Sequence, residues 1–243
     1  MSRTFALALL TIAATCPFNE LVAAEPIPTY RATYDISYRN RRVGTSEFSV
    51  TRDRTSGTYT FVSTSRFRGL VRLISPKPFV EISEFVYEQG QIQPLGYSYQ
   101  GGSRRDNDNY NIAFDWANGV ATMTAQGRRI QSELAPGILD RGSMQVAVML
   151  DMRASGPDRY TLVDEDGISV YECSTDGEET LDTPMGIVVT QKFAQQKRGS
   201  SRGTIVWVSS ELNYLPVRIE QQQNGVTRAA FYLQSLKWLG EEE

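Results

Sequence analysis

Apolar and polar residues alternate with a period of two along most of this chain, which is the pattern of half-buried β-strands. The alternation is clearest over residues 29–38, where Tyr30, Ala32, Tyr34 and Ile36 fall on one face. Glycine-containing turn signals separate the strand-like segments. The predicted strands are residues 29–38, 43–51, 58–65, 79–88, 93–100, 109–116, 119–125, 159–164, 168–174, 186–194, 203–209, 215–223 and 226–236. The pattern therefore predicts a mainly β protein.

The turns between these strands favour hairpins over crossover connections. Asn118-Gly119 and Asn224-Gly225 are strong signals for two-residue hairpin turns. Gly44, just after another predicted turn, is expected to need either a positive φ or a β-bulge. Many short strands without alternating helices predict a curved antiparallel sheet, which forms a half-barrel, a barrel or a sandwich.

Two segments show helical spacing instead. In residues 66–74 the apolar positions recur at i, i+3, i+4 and i+7, which predicts a short amphipathic helix with arginines off its apolar stripe. These apolar positions are Phe67, Leu70, Val71 and Ile74. Residues 140–154 are apolar on a wider face and predict a helix buried against the concave face of the sheet, capped by Asp140 or Ser143.

The first 24 residues have the organisation of a secretory signal. Arg3 precedes an apolar run over residues 5–15, and small residues lead up to Ala24. That run is too short to span a bilayer, and no later segment is long enough. We predict cleavage after Ala24 and a single β-rich exported domain over residues 25–243 in the periplasm, with no transmembrane segment. Lipid anchoring at Cys16 is the alternative, but the residues before Cys16 match a lipoprotein signal poorly.

The residue types that are absent or rare exclude several classes of site. The 243 residues include no histidine, which excludes Ser-His and Cys-His nucleophiles and any zinc or haem site that contains histidine. After signal cleavage Cys173 is the only cysteine, so no internal disulfide forms, and we expect it to be a small buried side chain. No cofactor and no metal are predicted. A net charge of −3 and an exported address argue against nucleic acid as a partner.

The charged residues offer two candidate sites. Arg41-Arg42, Arg104-Arg105 and Arg128-Arg129 sit at predicted turns, where solvated charge is the ordinary explanation and an anion site is the alternative. Asp106 and Asp108 would share one face of a strand about 7 Å apart, a spacing that suits a glycan hydrolase. Turn-forming residues surround them, so we predict no catalytic residue there.

Several phrases of the sequence are familiar in their order. They are Tyr34-Asp-Ile-Ser-Tyr38, Val43-Gly44, Phe67-Arg-Gly-Leu70, Gln93-Pro-Leu-Gly-Tyr97, Phe114-Asp-Trp116, Thr183-Pro-Met-Gly186, Trp207 and Leu215-Pro-Val-Arg-Ile219. From about Tyr30 to Leu236 the chain resembles an exported bacterial family catalogued as domain of unknown function 3108. The resemblance implies a β-rich envelope protein with no assigned activity or catalytic residues. The layout is also similar, in architecture only, to the half-barrel lipoprotein carriers of the periplasm.

These observations predict a non-enzymatic cell-envelope protein that binds an apolar or lipid-like ligand in the concave face of a curved sheet. The candidate ligand-binding residues are Arg66, Phe67, Arg68, Leu70, Val71, Arg72 and Ile74. A helix here would gate the cavity or meet anionic headgroups, or it would only plug the open edge of the sheet. The alternatives are a periplasmic interaction or assembly factor with an envelope protein partner, and a carboxylate-dependent glycan hydrolase.

Overall fold

The computed structural model describes residues 27–103 and 108–240, without the side chain of Ile74. The predicted signal peptide, Arg104-Arg105 and Asp106 therefore lie outside the described residues. The strands are β1 (Tyr30–Tyr38), β2 (Arg41–Arg52), β3 (Tyr59–Phe67), β4 (Phe79–Glu88), β5 (Gln91–Gln100), β6 (Tyr110–Asp115), β7 (Val120–Ala125), β8 (Arg128–Glu133), β9 (Ile138–Leu139), β10 (Arg159–Asp164), β11 (Gly167–Thr183), β12 (Gly186–Lys197), β13 (Arg202–Ser209), β14 (Leu215–Gln223) and β15 (Val226–Trp238). The helices are α1 (Val71–Ile74) and α2 (Arg141–Asp151), with a 3-10 turn at Ser210–Leu212.

All fifteen strands belong to one curved, unclosed sheet, which confirms the predicted fold class. The order is β8-β7-β6-β5-β4-β3-β2-β1-β15-β14-β13-β12-β11-β10-β9. Neighbouring strands pair antiparallel, apart from β9 and β10, which are parallel because α2 connects them. Two meanders, β1 to β8 and β10 to β15, are joined by the pairing of β1 with β15.

Both predicted hairpins are present, but only one has a two-residue turn. Asn224 and Gly225 have φ of 52° and 71°, the left-handed region that such a turn requires. Asp115 pairs with Val120, so residues 116–119 form a four-residue loop, with Gly119 at φ of 68°. The structure adds strands β8 and β9, which the sequence analysis missed. Apolar residues are sparse in β8, because most of its side chains face solvent, so its sequence lacks the alternation of a half-buried strand.

Helix α2 lies inside the curve of the sheet, as its apolar pattern predicted. It contacts β3, β4 and β5 on one side and β10 on the other. Asp140 and Ser143 cap it reciprocally: the Ser143 amide donates to the Asp140 side chain at 2.8 Å, and the Asp140 amide donates to Ser143 Oγ at 2.9 Å. The helix fills the concave side together with aromatic residues of the strands.

The tyrosines of β1 are part of this core. Tyr30 and Tyr34 are buried, and the Tyr34 hydroxyl donates to the Pro216 carbonyl at 2.8 Å. The Tyr34 ring packs against Phe48 with a centroid distance of 4.7 Å. The inward face of β1 is therefore packed protein interior.

The short helix predicted over residues 66–74 is much shorter than its sequence pattern suggests. Phe67 still belongs to β3, and its ring packs edge-on against Phe79 at 5.3 Å. Gly69 has φ of 60°, which an α-helix cannot contain, so α1 begins only at Val71. As a result Leu70 is 81% exposed, and the predicted apolar stripe does not form a buried helix face.

Candidate functional site

A surface cleft of about 400 Å³ lies beside the connection between β3 and β4. Its lining residues are Thr45, Arg66, Phe67, Arg68, Arg72, Ser75, Pro76, Lys77 and Pro78. Of the predicted ligand-binding residues, Arg66, Phe67, Arg68 and Arg72 line this cleft, whereas Leu70 and Val71 stand beside it. The side chain of Ile74 is outside the description. We call residues 66–78 the cationic connection.

Backbone contacts hold the cationic connection against the sheet at both of its ends. At the start, the Arg68 amide donates to the Val43 carbonyl at 2.7 Å, and Gly44 pairs with Phe67. At the far end, the Lys77 amide donates to the Gly102 carbonyl at 3.3 Å. Because both ends are anchored, the cleft has a defined shape although the side chains around it are exposed.

The cleft is strongly positive. The cationic connection carries four cations and no carboxylate. Within the described part of the chain, Arg66, Arg68 and Arg72 form no ion pair. Their guanidinium groups present several N–H donors that suit bidentate contacts with phosphate or carboxylate oxygens. The arrangement can therefore bind an anion.

Apolar side chains stand directly beside these cations. Leu70, which precedes α1, is 81% exposed, and Leu73, within α1, is 68% exposed. Phe67 and the two prolines supply apolar surface within the cleft itself. Cations next to exposed leucines suit a ligand with an anionic head and an apolar body.

Sequence reasoning missed a second polar cluster, inside the mouth of the sheet. The Tyr97 hydroxyl donates to Glu81 at 2.5 Å, and burial raises the pKa of Glu81. Arg141 donates to Glu165 at 2.7 Å, and Tyr110 donates to the same carboxylate at 3.3 Å. The cluster links β4, β5 and β6 with the start of α2 and with the turn between β10 and β11. It ties together the two halves of the unclosed sheet.

Asp140 extends this polar region beneath α2. It is fully buried, and it accepts hydrogen bonds from the Ser83 hydroxyl at 2.9 Å and from the Ser143 amide. Burial raises the pKa of Asp140 to about 7, against the opposing effect of these hydrogen bonds. The sequence held one signal of this region: the inward positions of β4 include Glu81 and Ser83 among aromatic residues.

Two other sequence candidates do not contribute to the described sites. Asp106 lies outside the described residues, so the predicted pair of Asp106 and Asp108 stays a prediction. Cys173 is half-buried, and burial raises the pKa of its thiol to about 12, which keeps it protonated and unreactive. No group of three or more His, Cys, Asp or Glu residues in the described ranges could hold a metal ion. No helix of that part of the chain is long and apolar enough to cross a bilayer.

The fold and the cleft together define a curved, unclosed β-sheet protein with an internal helix and a cationic cleft at its rim. Residues 33–228 match the protein family of unknown function DUF3108, and the chain belongs to that family. No curated protein matches the chain.

Solved structures with a similar course of the chain are distant in sequence. A beta-barrel-like protein of the domain of unknown function DUF1849 from Brucella abortus is 10% identical, with a TM-score of 0.52 covering 88% of this chain and 98% of that one. A Bacteroides fragilis protein described as exported, with a YmcC-like fold, is 11% identical, with a TM-score of 0.35 and coverages of 86% and 94%. A Parabacteroides distasonis protein described as a lipoprotein is 10% identical, with a TM-score of 0.31 and coverages of 86% and 95%. The first likeness shows the fold alone, and the other two are too distant to inform on this chain.

Proposed function

We propose that this protein is a non-enzymatic, exported binding protein whose ligand is lipid-like and carries an anionic head. The observation that carries the proposal is the cleft of about 400 Å³, whose described lining residues include four cations and no carboxylate, with two exposed leucines beside it. This volume lies within the range of small-molecule sites, which is roughly 300–1,000 Å³.

The ligand's place differs from the concave face that the sequence suggested. Helix α2 occupies that side of the sheet, and it packs there against buried residues such as Phe61 and Phe85. We therefore assign the ligand to the cleft at the rim. Arg66, Arg68 and Arg72 would hold the anionic head, and Phe67 and Leu70 would contact the adjoining apolar part.

Export supports the same function. We propose that the signal peptide is removed after Ala24 and that the mature chain works in the periplasm, where it faces lipid surfaces. A protein without histidine and with a protonated Cys173 is better suited to holding a ligand than to transforming one.

Mass spectrometry of the protein purified gently from the periplasm tests this proposal. The wild type is expected to begin at Glu25 and to retain an anionic lipid under native conditions. Replacing Arg66 and Arg72 by glutamine should lower ligand occupancy at least tenfold, since charge-assisted bonds contribute about 1.5–3 kcal/mol each. Arg54→Gln together with Lys237→Gln, which removes the same charge from exposed positions elsewhere, is the control.

A titration with the short-chain lipid dihexanoylphosphatidylglycerol separates the outcomes. Binding by the wild type and by the control, but not by the Arg66/Arg72 variant, supports the cleft. No binding by the wild type, or equal binding by all three proteins, contradicts it. Inorganic phosphate serves as a second probe, and equal affinity for phosphate would show that the apolar part of the ligand is not recognised.

A second candidate function, a protein-interaction factor, is favoured by the hairpin of β11 and β12. Its outer residues include Ile187, 76% exposed, with Val189 and Met185 also exposed. A photocrosslinking residue in place of Ile187 should give a discrete adduct with an envelope protein in cells. The same residue at Arg54, an exposed position of the β2–β3 connection, should give none, and identical adducts from both positions would exclude a specific interaction.

A further inference from the structure

The arginine-containing turns, which are far apart in sequence, meet at one end of the sheet. The register places the β1–β2 turn beside the end of β3, because Gly44 pairs with Phe67. Tyr38 pairs with Ala229, which places the β14–β15 turn at the same end. The strand pairing also places the β3–β4, β5–β6 and β7–β8 connections at this end. The β12–β13 turn lies at the same end. The described cations here include Arg39, Arg41, Arg42, Arg66, Arg68, Arg72, Lys77, Arg128, Arg129, Lys197, Arg198, Arg202 and Arg228.

Carboxylates at this basic end are mostly engaged. Asp35 pairs with Arg42 at 2.5 Å, and Lys197 bridges Asp164 at 2.9 Å and Asp166 at 2.7 Å. The turns and strand ends at the opposite end carry more acidic residues and fewer cations, of which Arg52 and Arg54 are two. The acidic residues there include Asp53, Glu88, Asp115, Asp182 and Glu211. The charge of the molecule is thus divided along the strand direction, although the net charge is only −3.

Exposed apolar residues also lie at the basic end. Leu70 and Leu73 project from the cationic connection, Tyr38 is 44% exposed beside Arg39, and Val226 is 53% exposed in the neighbouring turn. Such a combination of cations with leucine and an interfacial tyrosine is typical of surfaces that bind anionic membranes.

We propose that the basic end of the sheet docks on the surface of an anionic lipid bilayer, with Leu70 and Leu73 entering the headgroup region. The arginines of the surrounding turns contact lipid phosphates, each adding to the attraction within a Debye length of the surface. The cleft then opens toward the bilayer. The inference goes beyond the proposed function, because docking requires the whole end of the sheet and does not require an occupied cleft.

Flotation with vesicles tests docking directly. The mature protein should bind vesicles containing equal parts of phosphatidylglycerol and phosphatidylcholine, and bind vesicles of phosphatidylcholine alone at least tenfold more weakly. Binding should fall at about 0.5 M salt, where screening shortens the reach of charge to only a few ångströms. Equal binding to both vesicle types, or none to either, would overturn the proposal.

Matched variants locate the surface. Leu70→Ser with Leu73→Ser should weaken vesicle binding at least tenfold. Ile187→Ser, an equally exposed position at the opposite end, should leave it unchanged. If the leucine variant binds like the wild type, or the Ile187 variant loses as much, the docking face is wrong.

A double substitution of two arginines separates docking from the proposed function. Arg41→Gln with Arg129→Gln removes two exposed charges of the basic end that do not line the cleft. This variant should bind anionic vesicles several-fold more weakly but bind dihexanoylphosphatidylglycerol like the wild type. Vesicle binding unaffected by these changes contradicts docking and leaves the cleft proposal standing. Failure of the wild type to bind the short-chain lipid, with vesicle binding retained, contradicts the cleft proposal and leaves docking standing.

Discussion

Replacing Gly44 by alanine is expected to lower the free energy of unfolding by about 3 kcal/mol or more, at the upper end of overpacking effects. A Cβ atom at this position would lie 2.2 Å from the Arg66 carbonyl oxygen and 3.1 Å from the Phe67 Cα. Both are backbone atoms, so relief requires β2 and β3 to separate. The φ of Gly44 is not positive, and a bulge in the β1–β2 pairing precedes it, so close approach of the backbones is what demands glycine.

Urea unfolding of the variant, monitored by circular dichroism, measures this effect. Gly96→Ala is the matched control, because the nearest atom to a Cβ there is the flexible Glu84 Oε2 at 3.8 Å. The control should change stability by no more than about 1 kcal/mol, and in the stabilising direction. Because the strain falls on Arg66 and Phe67, Gly44→Ala should also weaken lipid binding by the cleft. Equal stability of the two variants would show that the strands adjust without cost.

Replacing Asp140 by asparagine is expected to remove much of a pH dependence of stability between pH 4 and pH 8. The folded pKa of Asp140 is raised from 3.8 to about 7, so the folded state holds a proton that the unfolded state has lost over this range. The stabilisation that the proton on Asp140 contributes is therefore fully present below the unfolded pKa of 3.8. It is lost as the pH rises through the folded pKa of about 7. The loss is at most about 4 kcal/mol, because one pKa unit corresponds to 1.36 kcal/mol.

Urea unfolding at a series of pH values checks this expectation. Asparagine keeps the cap and still accepts a hydrogen bond from the Ser143 amide, so the variant should fold and show a flatter profile. Some slope should remain, because burial also raises the pKa of Glu81. Asp53→Asn is the control, because Asp53 is exposed and hydrogen bonding to Ser56 lowers its pKa, so it stays charged above pH 5. If the free energy of unfolding of the Asp140→Asn variant depends on pH as strongly as that of the wild type, groups other than Asp140 cause the pH dependence.

Local sequence determined most of the strands. Alternation identifies β1 and β6 because their inward positions are buried, and Asn224-Gly225 identifies a two-residue turn because both residues adopt the left-handed backbone. The same reasoning failed for residues 66–74. The apolar residues there have helical spacing, but Phe67 pairs with Gly44 as part of β3. The helix therefore begins only at Val71.

The candidate site could be predicted only in part. Arg66, Arg68 and Arg72 were identified because they are adjacent in sequence and surround an apolar pattern. Arg41-Arg42 and Arg128-Arg129 each look like ordinary solvated turns, and only strand order reveals that they share one end of the molecule. The contact of Arg141 with Glu165 likewise depends on the position of α2 inside the curved sheet, and no local sequence pattern predicts that position.

The pairing of β1 with β15 also has a consequence for how the chain folds. Every other antiparallel pair joins consecutive strands, so each meander can form hairpin by hairpin with short loops to close. Joining β1 to β15 brings together residues about 200 positions apart and carries the largest loop-closure cost of the sheet. A ribosome makes β15 after every other strand, so until it is complete β1 presents an open edge to any other extended chain. Chaperone protection of β1 during that interval would be more valuable to this molecule than faster formation of any single hairpin.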